Sequence, residues 1–212
     1  MIDLVVPYKP NNSGELNTCI DLIEKNVPHR NIYVVEQYDQ QSFSEVPHVN
    51  VILKLKWAIE NHDLTDDFYL WNDDFFVMKP ITDVPYSHKG FLKEQYASTH
   101  WVPYKRAIAN TIDYFDGENV LSYELHIPFL FNKIKLYALI GELEQVMSRG
   151  KSPLIRSTYG NTYVVGGKQM PDVKNPRGNY EDYSFLSTDE RTFRGELGEY
   201  IKDSLKKEKY EK

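Results

Sequence analysis

Two runs of large apolar residues, Phe68-Tyr69-Leu70-Trp71 and Phe75-Phe76-Val77-Met78, are separated only by Asn72-Asp73-Asp74. A run as apolar as the first belongs in a strand buried on both faces, as in a parallel sheet covered by helices. Two adjacent carboxylates at the end of such a strand are costly to desolvate unless a cation or hydrogen-bond donors neutralise them. A hard divalent ion meets that need, because Mg²⁺ or Mn²⁺ takes one or two carboxylates and completes its shell with substrate phosphates. Asn-Asp-Asp is also good β-turn chemistry, so the triplet taken alone leaves a structural turn open.

The residues before the triplet repeat one pattern. Ile2 to Val6 is an apolar run stopped by Pro7 and reads as strand one. After the polar cluster Asn11 to Gly14, the residues Leu16, Cys19, Ile20 and Ile23 recur at helical spacing until Pro28. Asn31 to Glu36 and Val49 to Leu53 read as strands two and three, Lys54 to Asn61 as a helix, and Asp66 to Trp71 as strand four. The order implies an α/β fold with a mainly parallel central sheet and helices on both faces. Ligands of such sheets sit at the carboxyl ends of the strands. Pro7-Tyr8-Lys9, Glu36-Gln37 and Asn72-Asp73-Asp74 are therefore expected to converge on one cleft.

Beyond Pro80 the pattern weakens. Val84 to Tyr86 reads as a turn, Gly90 to Tyr96 as a strand, Pro103 to Tyr114 and Lys133 to Ser148 as helices, and Pro153 to Gly167 as loop and short strand. The charged end, Leu205 to Lys212, reads as a solvated tail. A chain of 212 residues has room for one substantial domain. The expected division is a nucleotide-binding half, residues 1–80, and an acceptor-side half with the tail, residues 81–212.

Composition excludes several classes. Hydrophobic residues make up 41% and charged residues 26%, the balance of a globular protein. The net charge of -6 supplies no general basic field, so a nucleic-acid acceptor is not favoured. Cys19 is the only cysteine, which rules out an intramolecular disulfide and a cysteine-rich zinc site and fits a reducing compartment. The sequence lacks the features of a signal peptide and any apolar run long enough to span a bilayer, and cytoplasmic residence is expected. Aromatic residues reach 14%, with 16 Tyr, which suits either sugar and base binding or a Tyr-rich core. No glycine-rich phosphate loop follows strand one.

The opening Ile-Asp-Leu-Val-Val-Pro-Tyr strand and the acidic triplet within Phe68 to Phe76 resemble the GT-A glycosyltransferase fold, with Asn72 standing where that family's Asp-X-Asp motif has its first acid. The same stretch is similar to the Stealth sugar-phosphate transferases, which carry an Asn-Asp-Asp-X-Phe segment. His126-Ile127-Pro128 resembles that group's His-containing segment, and Phe185-Leu186-Ser187-Thr188-Asp189 a late one. The first resemblance implies a metal-dependent glycosyltransferase that moves a sugar from a nucleotide-diphosphate donor, a UDP-sugar foremost, to the hydroxyl of a glycan or other acceptor. The second implies transfer at phosphorus instead of carbon. A carbohydrate-binding module without catalysis is the third alternative.

The residues then take roles. Asp74, with Asp73 and His126, is expected to hold Mn²⁺ or Mg²⁺ against the donor diphosphate, with Asn72 beside them. Tyr8 would stack on the nucleobase, and Pro7, Lys9 and Glu36 would complete the donor site. Glu124 and His126, two residues apart, face one side of an extended segment and place a general base or a metal ligand there. Either residue is also explained as a structural pair. Arg156, read as part of a turn, presents a fork of donors suited to a diphosphate, or else an ordinary surface ion pair. Glu181, Asp182 and Asp189 receive no role: shaping of the acceptor site and capping of a short helix from Thr188 or Asp189 explain them equally.

Overall fold

A computed structural model describes residues 1–10, 13–36, 46–117 and 119–206. Gln37 and the end of the charged tail, residues 207–212, lie outside the described residues. The chain runs β1 (Ile2–Pro7), α1 (Glu15–Asn26), β2 (His29–Val35), α2 (Pro47–Asn61), β3 (Asp67–Leu70) and β4 (Phe75–Val77). It continues through β5 (Ser87–His88), α3 (Leu92–Ser98), α4 (Val102–Tyr114), β6 (Phe129–Asn132), α5 (Lys133–Met147) and α6 (Ile155–Thr162). It ends with β7 (Lys168–Gln169), a single 3₁₀ turn at Tyr180–Asp182, β8 (Phe185–Ser187), α7 (Glu190–Phe193) and α8 (Glu196–Lys206).

The central sheet has four strands in the order β2-β1-β3-β6. β1 pairs in parallel with β2 and β3, and β6 closes the edge antiparallel to β3. The period-two alternation of β1 sends its side chains to two cores. Leu4 and Val6 join Cys19, Leu22, Ile23, Trp71, Phe76 and Ile201 under α1 and α8. Val5 joins Ile52, Leu55, Leu70, Leu136, Ile140 and Ile155 under α2, α5 and α6. Helices therefore cover both faces of a mostly parallel sheet, as the apolar runs predict. No helix among the described residues is long and apolar enough to cross a membrane. Residues 81–212 contribute β6 to the sheet and β8 to a ladder with β4, so hydrogen bonding crosses the expected boundary at residue 80.

Three expectations are corrected. Val49 to Leu53 is not a strand but the first half of α2, because Pro47 supplies a preset first turn and Ile52, Leu55 and Ala58 bury one helical stripe. Leu92 to Ser98 is helix α3, with only Phe91 bridging to Leu121. Ile155 to Thr162 is helix α6, whose hydroxyls bond inward: Thr158 Oγ1 donates to the Leu154 carbonyl at 2.8 Å. Asp189 does cap α7, accepting from the Thr192 amide at 2.9 Å within a reciprocal capping box.

Gly160 sets how closely α6 approaches the segment before β6. A Cβ at this position would lie 2.4 Å from the Cδ2 and Cε2 atoms of the Tyr123 ring. That ring is 2% exposed and has no room to retreat. Gly160→Ala is therefore expected to cost about 1–3 kcal/mol by overpacking, read as a lowered midpoint in chemical denaturation.

Candidate active site

The turn after β3 is fixed by the core beneath it. Trp71 is fully buried, its amide donates to the Val5 carbonyl at 2.9 Å, and its Nε1 donates to the Phe75 carbonyl at 2.9 Å. The Cys19 thiol donates to the same Phe75 carbonyl at 3.2 Å. A backbone held from both sides presents Asn72, Asp73 and Asp74, each half-buried, at the carboxyl end of β3.

The three residues have different surroundings. Asn72 Oδ1 accepts from Arg156 Nη2 at 2.9 Å. Asp74 Oδ2 meets Lys174 Nζ at 2.5 Å and the Ser187 hydroxyl at 3.2 Å, so its charge is already compensated. Asp73 has less: burial, then the neighbouring Asp74 and Glu15, push its carboxyl up to about 7 against the weaker pull of Lys174. The folded protein thus keeps a proton on Asp73 that the unfolded chain releases from about pH 4. Folding stability falls as pH rises from about 4 to 7 and the loss is complete above 7. Asp73→Asn should then stabilise protein kept in EDTA by an amount that grows through this window to the order of 2–4 kcal/mol. Melts at pH 4, 5.5 and 8 test this, and a difference independent of pH would show that Asp73 titrates normally.

The other strand ends converge as expected, with a lysine at their centre. The Lys54 ammonium on α2 donates to the Tyr8 carbonyl. Burial lowers its pKa, while Asp73 and Glu36 raise it and Lys9 lowers it further. Lys9, Glu36 and Asp73 thus lie within one electrostatic neighbourhood. Pro7 ends β1 opposite Val35. Tyr8 is 9% exposed, its ring packed inward, whereas Lys9 and Glu36 face solvent.

Next to these strand ends lies a cavity of about 360 Å³, lined in part by Asn72, Phe75, Lys89, Glu124, His126 and Arg156. Arg156 is 6% exposed, and its Nη1 donates to the Leu125 carbonyl at 2.7 Å. Its guanidinium stands 5.2 Å from the centre of the Phe75 ring, and the His126 imidazole packs edge-on against the same ring at 5.9 Å. His126 Nδ1 contacts both oxygens of Asp172 at 2.9 Å, and Asp172 also accepts from Lys89 Nζ at 2.7 Å. Burial of the Asp172 carboxyl is outweighed by His126 and Lys89, which hold it far below the usual carboxylate range. Glu124 lines the cavity, but its Oε1 is engaged by the Ser157 amide at 3.0 Å and hydroxyl at 2.9 Å, fastening the start of α6.

Arg156, Asn72, His126 and Glu124 are thus brought together, while Asp73 and Asp74 lie behind Asn72 on the side of Glu15 and Lys174. Among the described residues no three His, Cys, Asp or Glu side chains gather into a group able to hold a metal ion. Asp73 and Asp74 form an adjacent carboxylate pair, of which Asp74 is held by Lys174. Sequence reasoning missed Asp172, Lys89, Lys54 and Lys174. Each lies far along the chain from its partner, and a lone acid or lysine, in a loop as at Asp172 or on a helix as at Lys54, carries no local signal.

Fold and site together define a mixed α/β protein with a cavity lined by Arg156, Lys89, Glu124 and His126 beside the carboxyl end of β3. No protein-family model matches the chain, and no curated protein matches it at a significant level.

Proposed function

We propose that the protein is a transferase of nucleotide-activated sugars and that it moves the sugar as its 1-phosphate onto an acceptor hydroxyl. The observation that carries this reading is the placement of the His126 imidazole and the Arg156 guanidinium against one Phe75 ring. In transfer at phosphorus, the base that takes the hydroxyl proton and the cation that holds the phosphate oxygens work on neighbouring atoms. In glycosyl transfer the acceptor oxygen and its base stand across the anomeric carbon from the diphosphate, further from the phosphorus.

The chemistry follows from the groups present. The acceptor oxygen attacks the sugar-bearing phosphorus while its proton passes to His126, and the bond from phosphorus to the bridging oxygen breaks to release a nucleoside monophosphate. Asp172 stabilises the imidazolium that forms and fixes its orientation. Arg156 and Lys89 face the charge that grows on the phosphate oxygens. Mn²⁺ or Mg²⁺, held by Asp73 and Asp74, would neutralise the diphosphate when bound.

Glycosyl transfer from a nucleotide-diphosphate sugar is the second reading, favoured by one feature. Asp73 and Asp74 form an adjacent carboxylate pair at a strand end, with Asp73 pushed up to about 7 by burial and then by the neighbouring Asp74 and Glu15. Incubation with UDP-, GDP-, CDP- and TDP-sugars plus Mn²⁺ decides between them: a released monophosphate supports transfer at phosphorus and a diphosphate supports transfer at carbon. Neither product, together with no thermal shift by any nucleotide, would sink both.

A further inference from the structure

At its rim the cavity changes character. Trp101 is 55% exposed, and Tyr104, one turn along α4, lies nearly parallel to it, with ring centres 6.4 Å apart and 16° between planes. His48 on α2 approaches both rings, at 6.2 Å from Trp101 and 5.7 Å from Tyr104, and all three line the cavity. The field of Glu124, Asp172 and Arg156 reaches Tyr104, so this aromatic surface borders the reacting groups.

We propose that Trp101, Tyr104 and His48 form the acceptor subsite and that it takes a pyranose ring of a glycan; this rests on the transferase reading. A pyranose presents C–H groups on its faces and hydroxyls around its edge, so it needs an aromatic surface with hydrogen-bonding groups at the margin. The margin is provided here: His48 Nε2 is buried and has no hydrogen-bond partner among the described residues. Such a group costs stability until a ligand satisfies it. On the transferase reading the donor nucleoside belongs at the carboxyl ends of the strands, where ligands of parallel sheets sit. The rim is built instead from α2 and α4, and it leaves a ring seated on Trp101 with its hydroxyl directed inward to His126.

Tetrasaccharides of glucose, galactose and N-acetylglucosamine, titrated by calorimetry into wild type, Trp101→Ala and Trp101→Phe, test the proposal, with thermal shift by UDP and Mn²⁺ measured in parallel. At least one tetrasaccharide should bind, with affinity about tenfold lower in Trp101→Ala and partly kept in Trp101→Phe, while the UDP shift stays at its wild-type value. Undiminished binding in Trp101→Ala, or no binding of any tetrasaccharide to wild type, would overturn the subsite. Loss of the UDP shift in Trp101→Ala would overturn it too, assigning the platform to the base. If wild type shows Trp101-dependent glycan binding and no shift by UDP, GDP, CDP or TDP with Mn²⁺, the subsite stands and the donor reading fails.

Discussion

Arg156→Lys is expected to leave a folded protein whose transfer rate has dropped about a thousandfold. The guanidinium has two anchors, the Leu125 carbonyl at 2.7 Å and Asn72 Oδ1 at 2.9 Å, and it lies over Phe75. Burial works against its charge, and Glu124 and Asp74 are the first groups that restore it. A planar fork can keep both anchors and still face a phosphate; an ammonium on a flexible stem can keep one. The substitution preserves the charge, so the buried acids nearby stay compensated and the stability cost is limited to about 1–3 kcal/mol for the lost hydrogen bond. Steady-state release of nucleoside monophosphate, compared with a denaturant melt of the same samples, separates the two effects. A rate within tenfold of wild type would reduce Arg156 to a structural tie between Asn72 and the segment at Leu125.

Asp172→Asn should lower the rate by about 10²- to 10⁴-fold, the usual span for losing effective general base catalysis. The carboxylate accepts from the His126 amide at 3.0 Å, from the Val173 amide at 2.9 Å and from Lys89 at 2.7 Å, besides its contact with Nδ1. An amide of the same shape keeps some of these bonds but withdraws the negative charge that steadies the imidazolium. Stability gives an independent check with a defined sign. The folded-state pKa of Asp172 is depressed, so its contribution is present above the unfolded value near 4 and disappears as pH falls through the lower folded value. The destabilisation by Asp172→Asn should therefore be full at pH 7 and fade only in strong acid. A variant with wild-type turnover and this stability profile would make the Asp172–His126 pair purely structural.

The three parallel strands were legible because they are short and apolar and end in unmistakable breakers, as Ile2 to Pro7 and Phe68 to Trp71 do, whereas the antiparallel edge strand β6 went unread. The helix at Val49 to Leu53 was not, since a brief apolar run has no period long enough to separate a buried strand from a buried helix. Only the continuation through Leu55 and Ala58 shows the helical stripe. Arg156 was read as part of a turn because Ser157, Thr158 and Gly160 are turn formers in isolation. Tertiary contacts override that preference: Ser157 donates a hydroxyl to Glu124, and Gly160 admits the Tyr123 ring. Asn72, His126 and Arg156 were found from their residue types and neighbours. Their counterparts Asp172 and Lys174 are defined only by folding, at separations of 46 residues from His126 and 100 from Asp74.

Those separations impose an order on the birth of the molecule. β1, α1, β2 and β3 emerge from the ribosome first and can collapse on their own apolar residues, since chains are made at about 5–20 residues per second and fold from the N-terminal side. The acids they carry must wait for their counterparts. Lys174 and Ser187 reach Asp74, and Thr188 reaches Glu15 across 173 residues, only when β8 has been made. A nascent chain that already has β1, β2 and β3 therefore still holds unbalanced carboxylates at Glu15 and Asp74, and the surroundings of this strand end are complete only once β8 is in place.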